Sequence, residues 1–485
     1  MKKIFQYILL ALPVLGSTSC NKWLDVKPSN QISDEELFKD ADGVRIALNG
    51  IYQNLGDAKL YGRQFTWGLN SAMGQDYITN TISAEYQKAM ALNFTDPAVV
   101  PGISKTWATA YTTIANVNKL INLVDQKDTA FFPLRAVEKN LIMGEALAVR
   151  ALLHFEILRL FAPAPVNDMN GRYMPYQTTY PAPITPPSST AEVLTNIIND
   201  LTQAQSLVAQ NDTVTNKAAM SGKLASLLLG SASINGGTFF SYRMNRMNYV
   251  AIHALLARVY MYSGDRVNAK KEAEYLYKEF GPSGRLKWWA WTTEANSKGA
   301  NRYIKLADDI IMAGYDPNLV ANIKTYKNAT TTPLTFVAGD TLTWFPSSVR
   351  DYRSNIVDNG ISAKWVETTG TASNVPQQNT ILPVLRFSEI YFIYSECLYE
   401  EGNTTDALKI FNELRLARGK VTTFSDATRT GFYNEFMLDY RREFFAEGQT
   451  VFAFKRMNRN IQVLTKVTPM DNKFVLPLPD GEKNF

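Results

Sequence analysis

Residues 386–417 read RFSEIYFIYSECLYEEGNTTDALKIFNELRLA, and this stretch decides the fold. Its small, glycine and large apolar positions recur at the same spacing in residues 257–276. The matching positions are Ser395, Leu398, Gly402, Ala407, Phe411 and Leu414 in the later stretch and Ala257, Tyr260, Gly264, Ala269, Ala273 and Leu276 in the earlier one. This shared spacing predicts two copies of one helix–turn–helix unit.

The residue types at these positions suit two packed antiparallel helices. Small residues let the helices approach closely, glycine ends the first helix, and the large residues fill the space between them. The unit resembles the tetratricopeptide repeat, in which such hairpins stack into an array. We therefore predict a mainly α-helical scaffold of tetratricopeptide-like repeats, to which divergent helix pairs upstream contribute.

Further helices are predicted upstream of these hairpins. A capping box at residues 33–36 begins one helix, which ends near Gly56. Another begins near Lys105, with apolar residues three and four apart. The helix over residues 137–161 is apolar almost all round, which indicates a buried central position. A serine–threonine pair at residues 189–190 is expected to cap the next helix.

The charge balance and the sparse cysteines exclude several function classes. The precursor has 50 basic and 45 acidic residues, and loss of Lys2 and Lys3 with residues 1–19 leaves a net charge of only +3. With no basic stripe, a nucleic-acid partner is not expected. The only cysteines are Cys20 and Cys397, so a disulfide-stapled fold is not expected either.

The first twenty residues have the order of a secretory signal peptide. A basic tip is followed by an apolar run over residues 8–15, by small residues, and then by Cys20. A cysteine directly after small residues resembles a bacterial lipobox, whose cysteine is acylated. Ser17 departs from that pattern, which usually has leucine three residues before the cysteine. The expectation is a lipoprotein anchored through Cys20, and the alternative is a secreted protein with a thiol near its end.

Residues 281–385 differ from the helical parts in pattern and composition. Helical periodicity is poor, and Thr, Asn, Gly and Pro are common, so we predict a lobe of loops and short strands. Trp288, Trp289 and Trp291 lie within four residues there. Neighbours in an extended chain point to opposite sides, so at least one of these indoles is expected to face solvent or a ligand. Indole faces suit sugar rings, and also peptide side chains.

Further ligand contacts are expected elsewhere in the chain. The predicted set comprises Trp67, Asn70, Asp76, Arg302 and Trp344, with Tyr61, Arg63 and Gln75 as additional candidates. The alternative for the aromatic members is burial, as anchors that hold the lobe onto the scaffold. Trp107 lies on a regular helical stripe and is assigned to the core.

Signals of catalysis or metal binding are weak. The two histidines, His154 and His253, each lie in an apolar helix and read as hydrogen-bonded core residues. The sequence has no nucleophile elbow, P-loop or paired metal-ligand motif. Adjacent acids such as Asp308–Asp309 point in different directions in most structures. A glycoside hydrolase would instead need two carboxyl groups that face each other across a cleft. The expectation is a protein that is not an enzyme and needs no cofactor or metal.

Several motifs, taken in order, carry a family resemblance. They are GEALAVRA at residues 144–151, RFSEIYFIYSE at 386–396, RREFFAEG at 441–448, Lys455–Arg456 and LPLP at 476–479. With the lipobox, they resemble the SusD/RagB family of outer-membrane lipoproteins of Bacteroidota over nearly the whole chain. Thr450 and Ala453 depart from the arginine and aspartate common there. The charged motif residues are interpreted as ion pairs between packed helices: Glu145, Arg150, Arg386, Arg441, Arg442 and Glu447.

The resemblance implies a division of the chain and a function. It implies a signal peptide (1–19), a lipidated arm (20–32), a helical region (33–280), a loop-rich ligand-binding lobe (281–385) and a C-terminal helical region (386–485). It also implies a surface glycan-binding lipoprotein of the outer membrane that delivers oligosaccharide to a SusC-like TonB-dependent transporter. Peptide capture in the manner of RagB is the main alternative. A protein-binding helical scaffold and a surface hydrolase are the others.

Overall fold

The structure, a computed structural model, describes most of the chain from Ser33 to Lys483. The described residues are 33–77, 82–220, 222, 234–327, 344–346, 348–358, 360–365, 367–368, 370–371, 376–463, 466–471 and 474–483. The predicted signal peptide, the arm and Cys20 therefore lie outside the described residues.

Helices dominate the described part of the chain. They are α1 (Asp34–Leu37), α2 (Ala41–Leu55), α3 (Leu69–Met73), α4 (Ala84–Met90), α5 (Val100–Asp125), α6 (Arg135–Phe161), α7 (Thr190–Gln210), α8 (Tyr249–Ser263), α9 (Arg266–Glu279), α10 (Leu319–Lys327), α11 (Phe387–Glu400), α12 (Thr404–Ala417), α13 (Arg429–Phe444) and α14 (Thr450–Arg456). The mainly α-helical fold class is thus confirmed.

The longer helices pack as a continuous array. Each of α5, α6, α7, α8 and α9 contacts the next, and α9 then contacts α11, which pairs with α12. The two predicted hairpins are therefore real: α8 with α9, and α11 with α12. Gly264 ends α8 with φ of 89°, and Gly402 follows α11 with φ of 91°. This left-handed conformation favours glycine, which explains its recurrence at equivalent positions.

Helix α6 is the centre of the scaffold, as its all-round apolar pattern predicts. Nearly every residue from Leu141 to Phe161 is buried, charged ones included. Gly144 allows α7 to lie close, because a Cβ at this position would be 2.7 Å from Cγ1 of Val208. The array thus has α5 and α7 on two sides of one buried helix.

Helix boundaries near the start of the described chain differ from the prediction. The single helix expected from Ser33 to Gly56 is two helices, α1 and α2, and the predicted start of α5 near Lys105 is wrong by five residues. The Asp40 side chain accepts a hydrogen bond from the backbone N–H of Gly43 at 3.0 Å and so begins a new helix. Ser189 caps α7 with a complete capping box, which confirms that prediction.

The residues between α9 and α11 contain short strands and loops, as expected. Strand β3 (Ile310–Tyr315) pairs antiparallel with β6 (Ile381–Arg386), and β6 leads directly into α11. The other strands are pairs of very short segments: β1 (Arg172–Met174) with β2 (Ser188–Ser189), β4 (Val357–Asp358) with β5 (Ile361–Ser362), and β7 (Ile461–Val463) with β8 (Lys466–Thr468). The exact lobe boundaries at 281 and 385 stay a prediction. Among the described residues, no helix is long and apolar enough to cross a membrane.

His154 joins α6 to the proline-rich loop before α7. Its Nδ1–H donates to the carbonyl of Arg150 at 2.9 Å, and Nε2 accepts the backbone N–H of Gln177 at 3.0 Å. The ring stacks on Tyr176 with centroids 3.9 Å apart. Both nitrogens are satisfied in the neutral form, and burial lowers the pKa of His154 to about 3. The prediction of a hydrogen-bonded core histidine is confirmed.

The buried neutral His154 will make the fold acid-sensitive. Between the ordinary pKa of about 6.5 and the folded pKa of about 3, the unfolded chain binds a proton that the folded chain does not, so stability falls as pH falls. The pKa difference of this one histidine corresponds to about 3–5 kcal/mol in the free energy of unfolding. In urea titrations across this pH range, His154→Gln should flatten the pH dependence of the free energy of unfolding. An unchanged slope in this variant would contradict the assignment.

Gly264→Ala will test the turn of the first hairpin. A Cβ there meets no atom within 4 Å, so the only cost is the left-handed backbone, which is about 1 kcal/mol for alanine. The matched control is Gly50→Ala, in the exposed middle of α2 with equally open space, which should keep or raise stability. Urea unfolding measures both. A Gly264 variant as stable as the wild type would refute the role of this turn.

Candidate ligand-binding surface of the loop-rich lobe

A cluster of buried charges holds the loop-rich residues against the C-terminal helices. We call Asp309, Arg353, Arg386, Arg418 and Glu443 the buried charge network. Asp309 and Arg353 belong to the lobe, whereas the other three belong to β6, the end of α12 and α13. All five side chains are almost completely buried. The position of the lobe therefore depends on charges that pair across its boundary.

Glu443 is the hub of the buried charge network. Its Oε1 accepts from Arg418 at 2.6 Å and from Arg386 at 3.1 Å, and its Oε2 accepts from Arg353 at 3.1 Å. Asp309 accepts from the same Arg386 and Arg418 at 2.9 and 2.7 Å. Burial alone would raise the pKa of Glu443, but Arg418 and Arg386 hold it well below its usual range.

All six motif residues interpreted as members of ion pairs have an oppositely charged partner. Glu145 of α6 binds Arg243 and Arg246, Arg150 binds Asp200 at 2.7 Å, and Arg442 lies 3.0 Å from Asp439. Glu447 accepts from Arg386 and from Lys364, at 2.7 and 2.6 Å. Arg441 lies 3.9 Å from Asp76. The pairing is thus confirmed, but only Arg150 joins two α-helices directly, and Arg442 pairs within its own helix.

Trp289 is the buried anchor of the tryptophan cluster. Its indole N–H donates to the carbonyl of Ile310 at 2.7 Å, and its ring lies 5.9 Å from that of Phe387. Gly222 lies over the ring so closely that a Cβ would be 2.4 Å from it. Trp289 thus ties the start of the lobe to β3 and α11. Because its ring is buried, the predicted contact of Trp289 with ligand would require the chain to move, and it stays a prediction.

Trp288 and Trp291 are only half-buried and diverge from Trp289 along two different aromatic rows. Trp288 packs on Phe280, with ring centroids 4.8 Å apart. Trp291 packs edge-on against Tyr391 at 5.0 Å, and the guanidinium of Arg418 lies 4.8 Å from its ring centroid. The buried charge network therefore also positions Trp291 through a cation–π contact.

The structure brings Asn70, Asp76 and Trp344 to the corner between α13 and α14, whereas Trp67 packs against Tyr326 of α10. Arg441 lies 4.8 Å above the ring of Trp344, and the N–H of Ala446 donates to Asp76 at 3.2 Å. The Asn70 amide donates to the carbonyl of Phe65, and the Trp67 indole donates to that of Gly62. All four side chains are buried, so their ligand contacts also stay predictions.

The remaining predicted contacts are distributed over the lobe and its border. Arg302 is partly exposed, donating to the carbonyl of Asn355 at 2.7 Å and pairing with Asp358. Arg63 contacts Tyr326 of α10, whose ring also lies 5.2 Å from that of Trp67. Tyr61 and Gln75 are buried. Tyr326 was missed in the sequence because it lies in a short helix that the loop-rich composition concealed.

The grooves formed by the described residues include two with volumes of several hundred Å³. One, of about 650 Å³, lies between α5, the proline-rich loop and residues 478–482, and its walls include Tyr111 and Pro183. The Tyr111 hydroxyl already donates to a backbone carbonyl at 2.8 Å, so the groove offers mainly apolar surface. The other, of about 500 Å³, lies between α7, α8 and α9 and is lined by aromatic and polar side chains.

The described part of the chain holds neither a cluster of metal-ligating side chains nor an activated cysteine. Its residues include no group of three or more metal-ligating side chains. Cys397 is buried against Met261, and burial raises the pKa of its thiol to about 12, so it is not an activated nucleophile.

Comparisons with known proteins identify the family. Residues 22–229 match a family model described as starch-binding and associating with the outer membrane, and residues 241–474 match the SusD family model. The chain belongs to the SusD/RagB family. Carbohydrate binding and outer-membrane association are properties described for this family.

The relatives resemble the chain over almost its full length. A SusD-like protein of Formosa agariphila is 22% identical, covering 97% of this chain and 94% of that protein. The solved structure titled putative sugar binding protein, from Bacteroides vulgatus, superposes with a TM-score of 0.69 at 18% identity. The match covers 91% of this chain and 96% of the Bacteroides vulgatus chain. Surface glycan-binding protein A of Bacteroides thetaiotaomicron has a TM-score of 0.64 at 15% identity, covering 92% and 97%. These structures share the fold.

Glu443→Gln will test the buried charge network. It removes a charge that faces three buried arginines, and breaking such a buried cluster costs about 3–5 kcal/mol. The control is Glu36→Gln, which breaks an exposed pair with Lys39 and should leave stability unchanged. Guanidinium is itself a salt, so urea unfolding is the suitable measurement. Equal stability of the two variants would show that the network does not fix the lobe.

Proposed function

We propose that this protein captures oligosaccharides at the cell surface and delivers them to a SusC-like TonB-dependent transporter of the outer membrane. Family membership over nearly the whole chain is the observation that carries the proposal. The transporter partner follows from the family resemblance. The lobe supplies the ligand surface, because its half-buried indoles offer apolar faces beside polar side chains, as sugar rings require.

The contact set proposed for the ligand begins with Trp288, Trp291 and Arg302. These three are the predicted contacts that keep exposed surface in the described lobe. Trp291 is held between Tyr391 and Arg418, so it is ordered before any ligand arrives. Such preorganisation reduces the entropy lost on binding.

Anchoring through lipid on Cys20 is part of the proposal. An acylated N-terminal cysteine would keep the protein at the membrane surface while the body engages the transporter. Two or more acyl chains give stable attachment.

A Cys20→Ala variant expressed in a Bacteroidota host should move from the membrane fraction to the medium or periplasm, whereas a Cys397→Ala variant should not.

Binding without catalysis fits the placement of the acidic side chains. Asp309, Asp439 and Glu443 are all buried and paired with arginines, so they are not poised across an open cleft.

Peptide capture is the second candidate, and one observation favours it. The 650 Å³ groove is apolar and proline-lined, which suits apolar peptide side chains better than sugars.

Retardation in affinity gels will test glycan capture. The mature protein should be retarded by at least one of a panel of soluble α-glucans, β-glucans, mannans, xylans and galactans. Trp291→Ala and Trp288→Ala should each weaken that retardation about tenfold, because a stacking face is lost. Tyr180→Ala is the control, since this tyrosine is 42% exposed but lies outside the lobe. Retardation by no polysaccharide, with binding of peptides instead, would favour the second candidate.

A further inference from the structure

The 500 Å³ groove between α7, α8 and α9 is a built cavity outside the lobe. Tyr249 and His253 of α8 form its floor, and Tyr275 of α9 forms one wall with 37% of its surface exposed. Gln205 of α7 and Glu272 of α9 complete it. Its volume falls within the range of about 300–1,000 Å³ that is typical of small-molecule sites.

The aromatic rings of the groove are ordered by one another. The ring centroids of Tyr249 and His253 are 4.5 Å apart, and those of His253 and Tyr275 are 4.9 Å apart. The two tyrosine hydroxyls lie 3.4 Å from each other. The row continues from Tyr275 to Phe280 at 5.6 Å and from Phe280 to Trp288 at 4.8 Å. These ring contacts link the groove, through the buried ring of Phe280, to Trp288, a half-buried tryptophan of the lobe.

The polar side chains of the groove surround this aromatic floor. His253 is only 6% exposed, and its Nδ1–H donates to Glu272 at 2.5 Å. In that tautomer Nε2 accepts from the Gln205 amide at 2.7 Å. Lys271 and Ser206 are exposed at the rim. The site thus combines an apolar face with donors and acceptors at its edge, and its charges of both signs favour a neutral ligand.

We propose that this groove is a second saccharide subsite, which binds one end of the oligosaccharide whose other part lies on Trp288. The ligand class is a neutral oligosaccharide, because sugar rings match an aromatic face and hydroxyls match the rim of amide, carboxylate and ammonium groups. This inference rests on the proposed function and extends it from the lobe to the helical scaffold.

Calorimetric titration will test the subsite with the shortest oligosaccharide that binds, taken from the polysaccharide giving the strongest retardation. Tyr275→Ala should weaken binding about tenfold, because it removes the exposed stacking ring. Tyr275→Phe keeps the ring and should stay within about twofold of the wild type. Tyr180→Ala is the matched control, because Tyr180 is 42% exposed and lies outside both the lobe and the groove. Thermal melting checks that each variant is folded.

The outcomes separate this inference from the proposed function. Loss of affinity in Tyr275→Ala, with Tyr275→Phe and Tyr180→Ala unaffected, supports the subsite. Unchanged affinity in Tyr275→Ala, while Trp291→Ala is impaired, overturns the subsite and leaves glycan capture standing. Absence of binding to every polysaccharide and oligosaccharide overturns both. Equal loss in Tyr275→Ala and Tyr180→Ala also overturns the subsite, since the effect would then not depend on the groove.

Discussion

Pairing of Glu443 with Arg386, Arg418 and Arg353 holds the loop-rich lobe against the C-terminal helices, and the proposed ligand surface depends on it. These charges lie where the loop-rich lobe meets the C-terminal helices, and each is almost completely buried. An isolated buried charge is strongly unfavourable, so the lobe has few alternative positions in which all of them are paired. Short strands and irregular loops could not fix the lobe by themselves, because they bury little continuous apolar surface.

The same charges connect structure with the proposed ligand surface. Arg418 pairs with Glu443 on one side and lies over the ring of Trp291 on the other. The groups that hold the lobe therefore also order Trp291, a side chain proposed to contact the ligand. Trp289 has the complementary role, because its buried indole fixes the chain from which Trp288 and Trp291 diverge. One cluster of tryptophans thus supplies both a buried anchor and two half-buried rings.

The sequence predicted the helical array better than the ligand surface. Glycine and small residues at repeated offsets predicted both hairpins, because helix termination and close packing demand specific residue types. The ion-pair role of Glu145 and Arg386 was also predicted, although Arg386 is the last residue of strand β6. The burial of Trp67 and Asp76 did not follow, since Trp67 packs on Tyr326 and Asp76 contacts Arg441 and Ala446, all far along the chain. Tyr249 and Tyr275 were missed because their groove exists only once α7, α8 and α9 are packed.

A crystal structure of the mature protein with a bound oligosaccharide will decide whether the half-buried tryptophans of the lobe contact sugar. Sugar rings should lie in van der Waals contact with Trp288 or Trp291, on a lobe whose charge network is unchanged from the free protein. Sugar bound only in the apolar groove beside α5, or binding that requires Glu443 and Arg418 to separate, would contradict it.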